Sequence, residues 1–355
     1  MSTIKNNHQN VSKNIPTAET NNTPIWQQEL RQCVTDPTEL MQLLELDSVV
    51  STKKTNEQRT LQQIVSQQFP LKVPRPFIAK MAKGDLEDPL LKQVLPVLSE
   101  TMTNSGYSRD PLAERQRSQS AGMIKKYHGR VLLIVSGHCA INCRYCFRRH
   151  FPYREHHLNR QQWLNIIADI AADSTISEVI FSGGDPLAVS DNQLTWLTRE
   201  IAAIPHVKRL RVHTRLPVVI PNRIDANCIA WLKDARLQTV VVLHINHANE
   251  IDCQLTAAVA RLRRAGVTLL NQTVLLKGIN DHADDLTELS ERLFSVGIMP
   301  YYLHLLDKVD GAQHFDTSEA DAKEIYRQLL SQLPGYLVPK LVREVPDMAY
   351  KLPLI

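Results

Sequence analysis

Three cysteines stand close together near the middle of the chain, within the run Gly137-His-Cys-Ala-Ile-Asn-Cys-Arg-Tyr-Cys-Phe-Arg148. Cys139, Cys143 and Cys146 have the spacing C-x3-C-x2-C. Three thiolates at this spacing can bind three irons of a [4Fe–4S] cubane cluster and leave the fourth iron without a protein ligand. Because an iron with an open coordination position can bind a reactant, the spacing predicts a cluster that takes part in chemistry.

A structural zinc site is the alternative interpretation of the three cysteines, with His138 or His150 as the fourth ligand. Structural zinc sites usually combine two pairs of ligands separated by a longer loop, and no second pair is visible in this sequence. The other cysteines, Cys33, Cys228 and Cys253, are scattered singly. This arrangement does not suggest a disulfide framework, and the triplet indicates a reducing compartment.

The elements that must position the cysteines begin with an apolar run at 131–135, shortly before the triplet. Similar short runs recur at 178–181, 209–213, 239–244, 268–275 and 301–305. Between them lie apolar stripes with helical spacing. The stripes are Leu194, Leu197 and Ile201; Leu255, Val259 and Leu262; and Leu286, Leu289 and Leu293. This alternation predicts an α/β fold, a partial (β/α)6 TIM-type barrel with the cysteines at the mouth formed by the carboxyl ends of the strands.

Composition and periodicity divide the chain into four predicted regions. Residues 1–25 are rich in Asn, Thr, Ser and Lys, which predicts a disordered tail. Residues 26–110 are predicted to form an N-terminal helical region, residues 111–334 the barrel, and residues 335–355 an extended C-terminal flap without helical period. The helix-like spacing of the N-terminal region is that of Trp26, Leu30 and Val34, and of Leu40, Leu43 and Leu44.

Charge and hydropathy exclude several classes of partner. The 355 residues carry a net charge of +4, which is too mild in a chain of this length to indicate nucleic-acid binding. No apolar run is long enough to span a bilayer, and the N-terminus lacks the apolar segment of a secretory signal. We therefore expect a cytoplasmic protein with neither a nucleic-acid nor a membrane partner.

A second motif, Ser182-Gly183-Gly184-Asp185, closes the second predicted strand. Two glycines allow backbone groups to approach a ligand closely, although a Gly-Gly pair by itself indicates only a turn. In combination with the cysteine triplet, this motif resembles the radical S-adenosylmethionine superfamily. The resemblance implies that the open iron chelates S-adenosylmethionine, that an electron from the cluster cleaves it to a 5′-deoxyadenosyl radical, and that the Ser182–Asp185 segment binds the methionine end.

Further blocks make the resemblance narrower. The segments 127–133, 143–149, 182–187, 217–224, 244–250 and 271–281 occur in the order found in the lysine 2,3-aminomutase family. The resemblance covers about residues 110–355. It implies that His244 and Gln272, at the ends of the fourth and fifth strands, contact S-adenosylmethionine. For His244 the alternative is a strand-end histidine with a structural partner. Length and overall likeness place the chain nearest the short branch, the elongation factor P (R)-β-lysylation proteins.

The family moves an amino group from the α to the β carbon, and it uses pyridoxal phosphate to carry the nitrogen. The resemblance places the lysine that holds this cofactor as a Schiff base on Lys351. The glycine-rich stretch that usually precedes this lysine is replaced by Asp347-Met-Ala-Tyr350. The phosphate of the cofactor is expected to meet Lys126, Tyr127 and Arg130, where Lys126 replaces an arginine of the family. A family tyrosine near the sixth strand is His304 here.

Substrate recognition also follows from the resemblance. It implies that Arg148 pairs with the carboxylate of free L-lysine, and that Asp307 and Glu344, the latter replacing an aspartate, meet its ε-ammonium group. An aminomutase for arginine or glutamate remains an alternative, as does a non-catalytic zinc-binding accessory protein. The implied partners are an electron donor of the flavodoxin or ferredoxin type and a functional link to the ligase of elongation factor P.

Overall fold

The central element of the protein is one ten-stranded sheet whose strands follow each other in chain order. The computed structural model describes residues 23–46, 65, 68–102, 104–115, 118–120, 122–153, 158–233 and 236–355. The strands are β1 (Ser118–Ser120), β2 (Met123–Ile124), β3 (Arg130–Ser136), β4 (Glu178–Gly183), β5 (Arg209–Thr214), β6 (Gln238–His244), β7 (Thr268–Val274), β8 (Met299–His304), β9 (Lys340–Arg343) and β10 (Leu352–Pro353). Strands β3 to β9 are parallel, whereas β1, β2 and β10 pair antiparallel.

All six predicted strands are confirmed as β3 to β8, and the sheet is an unclosed partial barrel, as the sequence predicts. These strands form because most of their apolar and β-branched residues are buried, which is typical of parallel sheets. In β6, for example, the run Val241-Val-Leu243 is almost completely buried. The fold class is therefore the one that the alternation of strands and helices indicates.

Helices cover the outside of this sheet. They are α5 (Arg160–Ala172), α6 (Asp191–Ala202), α7 (Leu216–Val219), α8 (Ala226–Lys233), α9 (Cys253–Arg264), α10 (Ala283–Val296) and α11 (Glu319–Gln332); the four that precede them in the chain are given below. Short 3-10 turns occupy Leu98–Thr101, Pro186–Ala188, Pro221–Arg223, Ala248–Glu250, Gln313–Phe315 and Gly335–Leu337. The three predicted apolar stripes are the buried faces of α6, α9 and α10. Burial of these faces against the strands fixes the helices on the sheet.

In the described part of the N-terminal region, the helices are α1 (Ile25–Arg31), α2 (Pro37–Leu43), α3 (Arg75–Ile78) and α4 (Pro89–Lys92). Val34 lies in a β-bridge with Val73 and not in a helix. A helix that contains Val34 could not continue through Pro37, because proline fits only the first turn of a helix, and Pro37 is the first residue of α2. Trp26, Val34 and Leu40 are nevertheless buried in the same apolar core as the barrel. Of the predicted tail, residues 1–22 lie outside the described residues.

The C-terminal segment joins the sheet at its end. Strand β9 extends the parallel sheet beyond β8, and β10 folds back on β9 so that Leu352 pairs with Arg343. This pairing brings the two ends of the intervening loop, Glu344 and Lys351, next to each other. Asp347 has a φ of 67° and thus takes the left-handed conformation usually left to glycine, which aspartate tolerates better than most residues.

No helix among the described residues combines the length and the apolar character that crossing a membrane would require.

Candidate active site

A cavity of about 390 Å³ opens at the carboxyl ends of the parallel strands, and every residue predicted for the site lines it. The cysteines come from the loop after β3, and the Ser182–Asp185 segment spans the carboxyl end of β4. His244 ends β6, and Asp307 follows β8. Glu344 and Lys351 close the cavity from the loop between β9 and β10. The topology of the barrel thus unites side chains that are more than 200 positions apart in the chain.

The cysteine loop is held in place by the N-terminal region. Lys72 donates from Nζ to the carbonyl of Cys139 at 2.7 Å, and the amide of Arg144 donates to Gln93 O at 2.9 Å. The guanidinium of Arg144 is buried and pairs with Glu100, with an Nε–Oε1 distance of 2.9 Å. Although the loop lacks regular structure, these contacts fix its path.

The three thiols are close enough to act on one another electrostatically. Burial raises the pKa of Cys139 well above its usual value, and the sulfurs of Cys146 and Cys143 raise it further. Burial and Cys143 together raise the pKa of Cys146 to about 11. Because a metal binds the thiolate, loading of this site must release protons.

The arrangement of these ligands bears on the zinc alternative. Within the described part of the chain, no three side chains of His, Cys, Asp or Glu are placed to hold a single metal ion. A zinc site needs ligands that converge on one point. A cubane cluster instead spreads its three cysteines over three irons.

The two glycines lie against the cysteine loop with no room for side chains. A Cβ on Gly183, whose φ is 122°, would be 2.4 Å from Ser136 O, and one on Gly184 would be 2.5 Å from His138 O. The amides of Gly184 and Asp185 donate to these same carbonyls at 2.7 Å. The motif is therefore more than a turn: it docks the end of β4 onto the loop that carries the cysteines.

The Asp185 side chain points into the protein. Its carboxylate accepts hydrogen bonds from Thr214 Oγ1 at 2.7 Å and from the amides of Leu187, Arg215 and Leu216 at 2.8 to 3.0 Å. These four donors satisfy the carboxylate. A contact between Asp185 and S-adenosylmethionine would thus run through its backbone, in line with the backbone contacts that the glycine pair predicts.

His244 and Gln272 are neighbours on adjacent strands of the cavity wall. The ring of His244 stacks on Tyr145, with 5.6 Å between centroids, and its Nε2 lies 3.1 Å from the tyrosine hydroxyl. Burial lowers the pKa of His244 to about 3, and Arg215 adds to the fall, so the ring is neutral. One ring nitrogen therefore has a structural partner, as the alternative interpretation expects, while the ring still borders the cavity.

Five charged side chains of alternating sign cross the cavity, and we call them the charge ladder: Arg148, Glu114, Lys126, Glu344 and Lys351. Glu114 bonds Arg148 Nε at 2.7 Å and Nη2 at 2.9 Å, and it lies 3.0 Å from Lys126 Nζ. Lys126 also pairs with Glu344 at 2.8 Å, and Glu344 pairs with Lys351. The ladder links the predicted substrate, phosphate and Schiff-base residues into one network.

Glu114 is the member that the sequence does not predict. Burial alone would raise the pKa of Glu114, but Arg148 and Lys126 hold it at about 2, so the group is ionised. It occupies one edge of the Arg148 guanidinium, whose Nη1 also donates to Ser182 Oγ and Gly183 O at 3.1 Å. Four of the five N–H donors of an arginine are then used, and the predicted bidentate grip on a carboxylate is not open in this arrangement.

The remaining predicted residues face the cavity from its other walls. Arg130 lies over the ring of Tyr127, with 5.7 Å between the guanidinium carbon and the ring centroid. His304 is kept neutral because burial and Lys351 hold its pKa well below the usual value. A third histidine, His213, also lines the cavity, and its Nε2 has no hydrogen-bond partner among the described residues. No sequence signal distinguishes His213 from a residue of the β5 interior.

Comparisons with known proteins agree with this geometry. Residues 133–290 match the family model described as the Radical SAM superfamily. An L-lysine 2,3-aminomutase of Escherichia coli is 50% identical over 336 residues, which cover 94% of this chain and 96% of that protein. This chain belongs to the lysine 2,3-aminomutase family. It is therefore an enzyme of the isomerase class, and membership implies a [4Fe–4S] cluster, S-adenosylmethionine and pyridoxal phosphate as cofactors.

Other lysine 2,3-aminomutases extend the comparison. The L-lysine 2,3-aminomutase of Haemophilus influenzae is 49% identical over 90% of this chain and 92% of its own length. The one of Clostridium subterminale is 33% identical over 79% of this chain and 67% of its own length. These relatives confirm the family that the sequence motifs indicate.

The residues of this aminomutase fit the three cofactors. The cysteines face one cavity, the glycine pair packs against the loop that carries them, and the charge ladder offers cations for a phosphate. These observations concern the chain itself, and they agree with the cofactors that the family uses.

Proposed function

We propose that this protein is a radical S-adenosylmethionine enzyme that uses pyridoxal phosphate to convert L-lysine into (R)-β-lysine. The observation that carries the proposal is that two carboxyl groups, Asp307 and Glu344, lie near Lys351 in the same cavity that the cysteine triplet lines. A cationic amino acid fits between these groups, because its ammonium meets the acids while its α carbon stays near the cofactors.

Within this proposal each residue has a defined task. Cys139, Cys143 and Cys146 hold three irons, and Lys351 holds the pyridoxal phosphate. When bound, the cluster and S-adenosylmethionine supply a carbon radical, and pyridoxal phosphate carries the migrating nitrogen. Arg130 and Tyr127 line the wall at which the phosphate is proposed to bind.

The C-terminal loop has a second task, which is to exclude water. Ala349, Tyr350 and Lys351 line the cavity, and strands β9 and β10 anchor the loop at both ends. A primary carbon radical would react with most C–H bonds it meets, so the cavity must be closed during turnover. The loop can supply this closure without a separate lid domain.

A panel of amino acids tests the proposed substrate. The enzyme is reconstituted anaerobically with iron, sulfide, pyridoxal phosphate, S-adenosylmethionine and dithionite, and then incubated with L-lysine, L-arginine or L-glutamate. Chiral chromatography should show (R)-β-lysine from lysine and no β-amino acid from glutamate, whose side-chain charge is repelled by the two acids. A β-amino acid from arginine or glutamate, but not from lysine, would overturn the substrate assignment and leave the family intact.

Metal analysis tests the accessory-protein alternative. We expect about four irons per chain after reconstitution, as a [4Fe–4S] cluster requires. One zinc per chain with no iron would support the zinc-binding reading and contradict the proposed reaction.

The protonation of Asp307 should make the binding of lysine depend on pH. Burial raises the pKa of its carboxyl group to about 7, and the charge of Glu344 adds to the rise. The side-chain amine of lysine stays protonated, since its pKa is about 10.4. Asp307 is therefore neutral below pH 7, and the KM for lysine should fall as the pH rises through this value. On the acid side the change approaches about tenfold per pH unit if Asp307 governs binding.

Two variants separate Asp307 from its neighbours. Asp307→Asn should raise KM and remove the pH slope. Glu344→Gln should raise KM but keep a slope with a lower midpoint. Burial would raise the pKa of Glu344, but the neighbouring lysines hold it well below its usual range. Glu344 therefore stays ionised near pH 7, where Asp307 titrates. His213 and His304 also stay neutral, because burial holds their pKa values far below 6.5. A slope that persists in Asp307→Asn would contradict the assignment.

The setting of the reaction completes the proposal. A reduced cluster needs a low-potential electron donor of the flavodoxin or ferredoxin type and a reducing compartment, so we assign the enzyme to the cytoplasm. The near-complete overlap with the Escherichia coli relative supports the short branch of the family. Its product is then proposed to reach elongation factor P through the corresponding ligase.

A further inference from the structure

Arg215 is a buried cation behind the cysteine loop, and neither the sequence motifs nor the proposed function assigns it a task. It lies directly after β5, at the start of α7. Its Nη1 is 2.7 Å from the sulfur of Cys143, within hydrogen-bond distance. The side chain is 7% exposed, so the charge acts on the sulfur with little screening by solvent.

Several contacts fix this guanidinium in place. Its Nη2 donates to Gln93 Oε1 at 2.6 Å and to Glu250 Oε2 at 3.0 Å. The ring of Phe77 lies 5.3 Å from its central carbon. The main-chain amide of Arg215 bonds Asp185, the residue that follows the glycine pair. Removing one partner from such a buried pair is costly, so the cation cannot turn away from the sulfur.

A cation that donates to a cluster ligand changes the energy of the electron that the cluster accepts. Reduction adds one negative charge to the cluster, and part of that charge resides on the cysteine sulfurs. Hydrogen bonds to the sulfurs and nearby positive charge stabilise the reduced form and raise its reduction potential. Glu250, completely buried on the far side of the guanidinium, opposes this effect because its charge is negative.

We propose that Arg215 is a positioning residue that raises the reduction potential of the cluster through Cys143, and that Glu250 limits this rise. The step concerned is the transfer of one electron from an external donor to the oxidised cluster. The inference rests on the proposed binding of the cluster by the three cysteines, and it does not depend on which amino acid is the substrate.

Redox titration of the reconstituted full-length enzyme tests the inference. The reduced cluster is quantified by electron paramagnetic resonance as the potential is lowered stepwise, in the wild type, Arg215→Met and Glu250→Gln. Arg215→Met should make reduction at least about tenfold less favourable, which is about 59 mV for one electron. Glu250→Gln should shift the potential in the opposite direction, because the cation then lacks its counter-charge.

Matched variants distinguish a charge effect from a packing effect. Tyr145→Phe removes the hydroxyl that accepts a hydrogen bond from Nη1 of Arg215 but leaves the charge of Arg215 in place. The reduction potential of this variant should therefore change less than that of Arg215→Met. Arg215→Lys keeps the charge, so its reduction potential should stay close to that of the wild type. This variant provides a test if Arg215→Met does not fold. Glu250→Gln supplies the opposite sign without altering Arg215.

Two results would overturn the inference. One is an unchanged potential in Arg215→Met and Glu250→Gln at normal iron content, and the other is a shift of both variants in the same direction. Either result would leave the proposed function untouched. A wild-type protein that binds no iron would instead contradict the proposed cluster site, so the two failures are distinguishable.

Discussion

Replacing Cys143 by alanine should reduce cleavage of S-adenosylmethionine to below detection. The cluster would lose one of its three ligands, and the iron that binds S-adenosylmethionine would no longer be held at the mouth of the barrel. The fold should survive, because Arg215 keeps Glu250 and Gln93 as partners when the sulfur is removed. The loss of one hydrogen bond to a charged group costs about 2 kcal/mol. Release of 5′-deoxyadenosine, measured by chromatography after anaerobic reconstitution, is the readout.

Cys253→Ala provides the control for this prediction. Cys253 is an exposed cysteine at the start of α9, outside the residues that line the cavity. Its loss should leave iron content and cleavage at wild-type values. Cleavage that persists in Cys143→Ala would show that the triplet does not hold the reactive cluster.

Replacing Lys351 by alanine should abolish the covalent retention of pyridoxal phosphate and, with it, the formation of β-lysine. The cysteine loop lies on another wall of the cavity, so the iron content should equal that of the wild type. Borohydride fixes pyridoxal phosphate on the lysine that holds it, and peptide mapping identifies this lysine. In the wild type we expect the label on Lys351, and in Lys351→Ala we expect no label.

Lys340→Ala is the matched control for Lys351→Ala. Lys340 lies in the same hairpin, at the start of β9, but its side chain is exposed. This variant should keep both the label and the activity. If a label remained in Lys351→Ala, another lysine, such as Lys126 of the charge ladder, would have to hold the cofactor.

The sequence predicts the elements whose signals are local. Strands β3, β4 and β6 are apolar runs in which most residues are buried, and the stripes on α6, α9 and α10 have the helical period. The glycine pair is visible for the same reason: two neighbouring residues without side chains stand out in any chain. Each of these features is encoded by residues within a few positions of one another.

Features that depend on distant partners could not be predicted in this way. Strand β9, with the sequence Lys340-Leu-Val-Arg343, carries charges at both ends that hide its role in the sheet. Glu114 has no local sequence signal, because its partners Arg148 and Lys126 meet it only in the folded chain. Arg215 meets Cys143 across 72 positions of the chain. The left-handed conformation of Asp347 likewise has no signal in the sequence, because glycine is the residue that usually takes it.

In the ion pair between Lys351 and Glu344, a side chain of the protein occupies a carboxylate that is proposed to bind the substrate. The free side chain of Lys351 is chemically the same as that of the proposed substrate, and it pairs with the carboxylate that is proposed to meet the substrate ammonium. Under the proposed assignments, joining Lys351 to the cofactor would remove one of the two lysines that pair with Glu344 and leave Lys126 as the other. Loading of the cofactor would then favour the binding of substrate at Glu344.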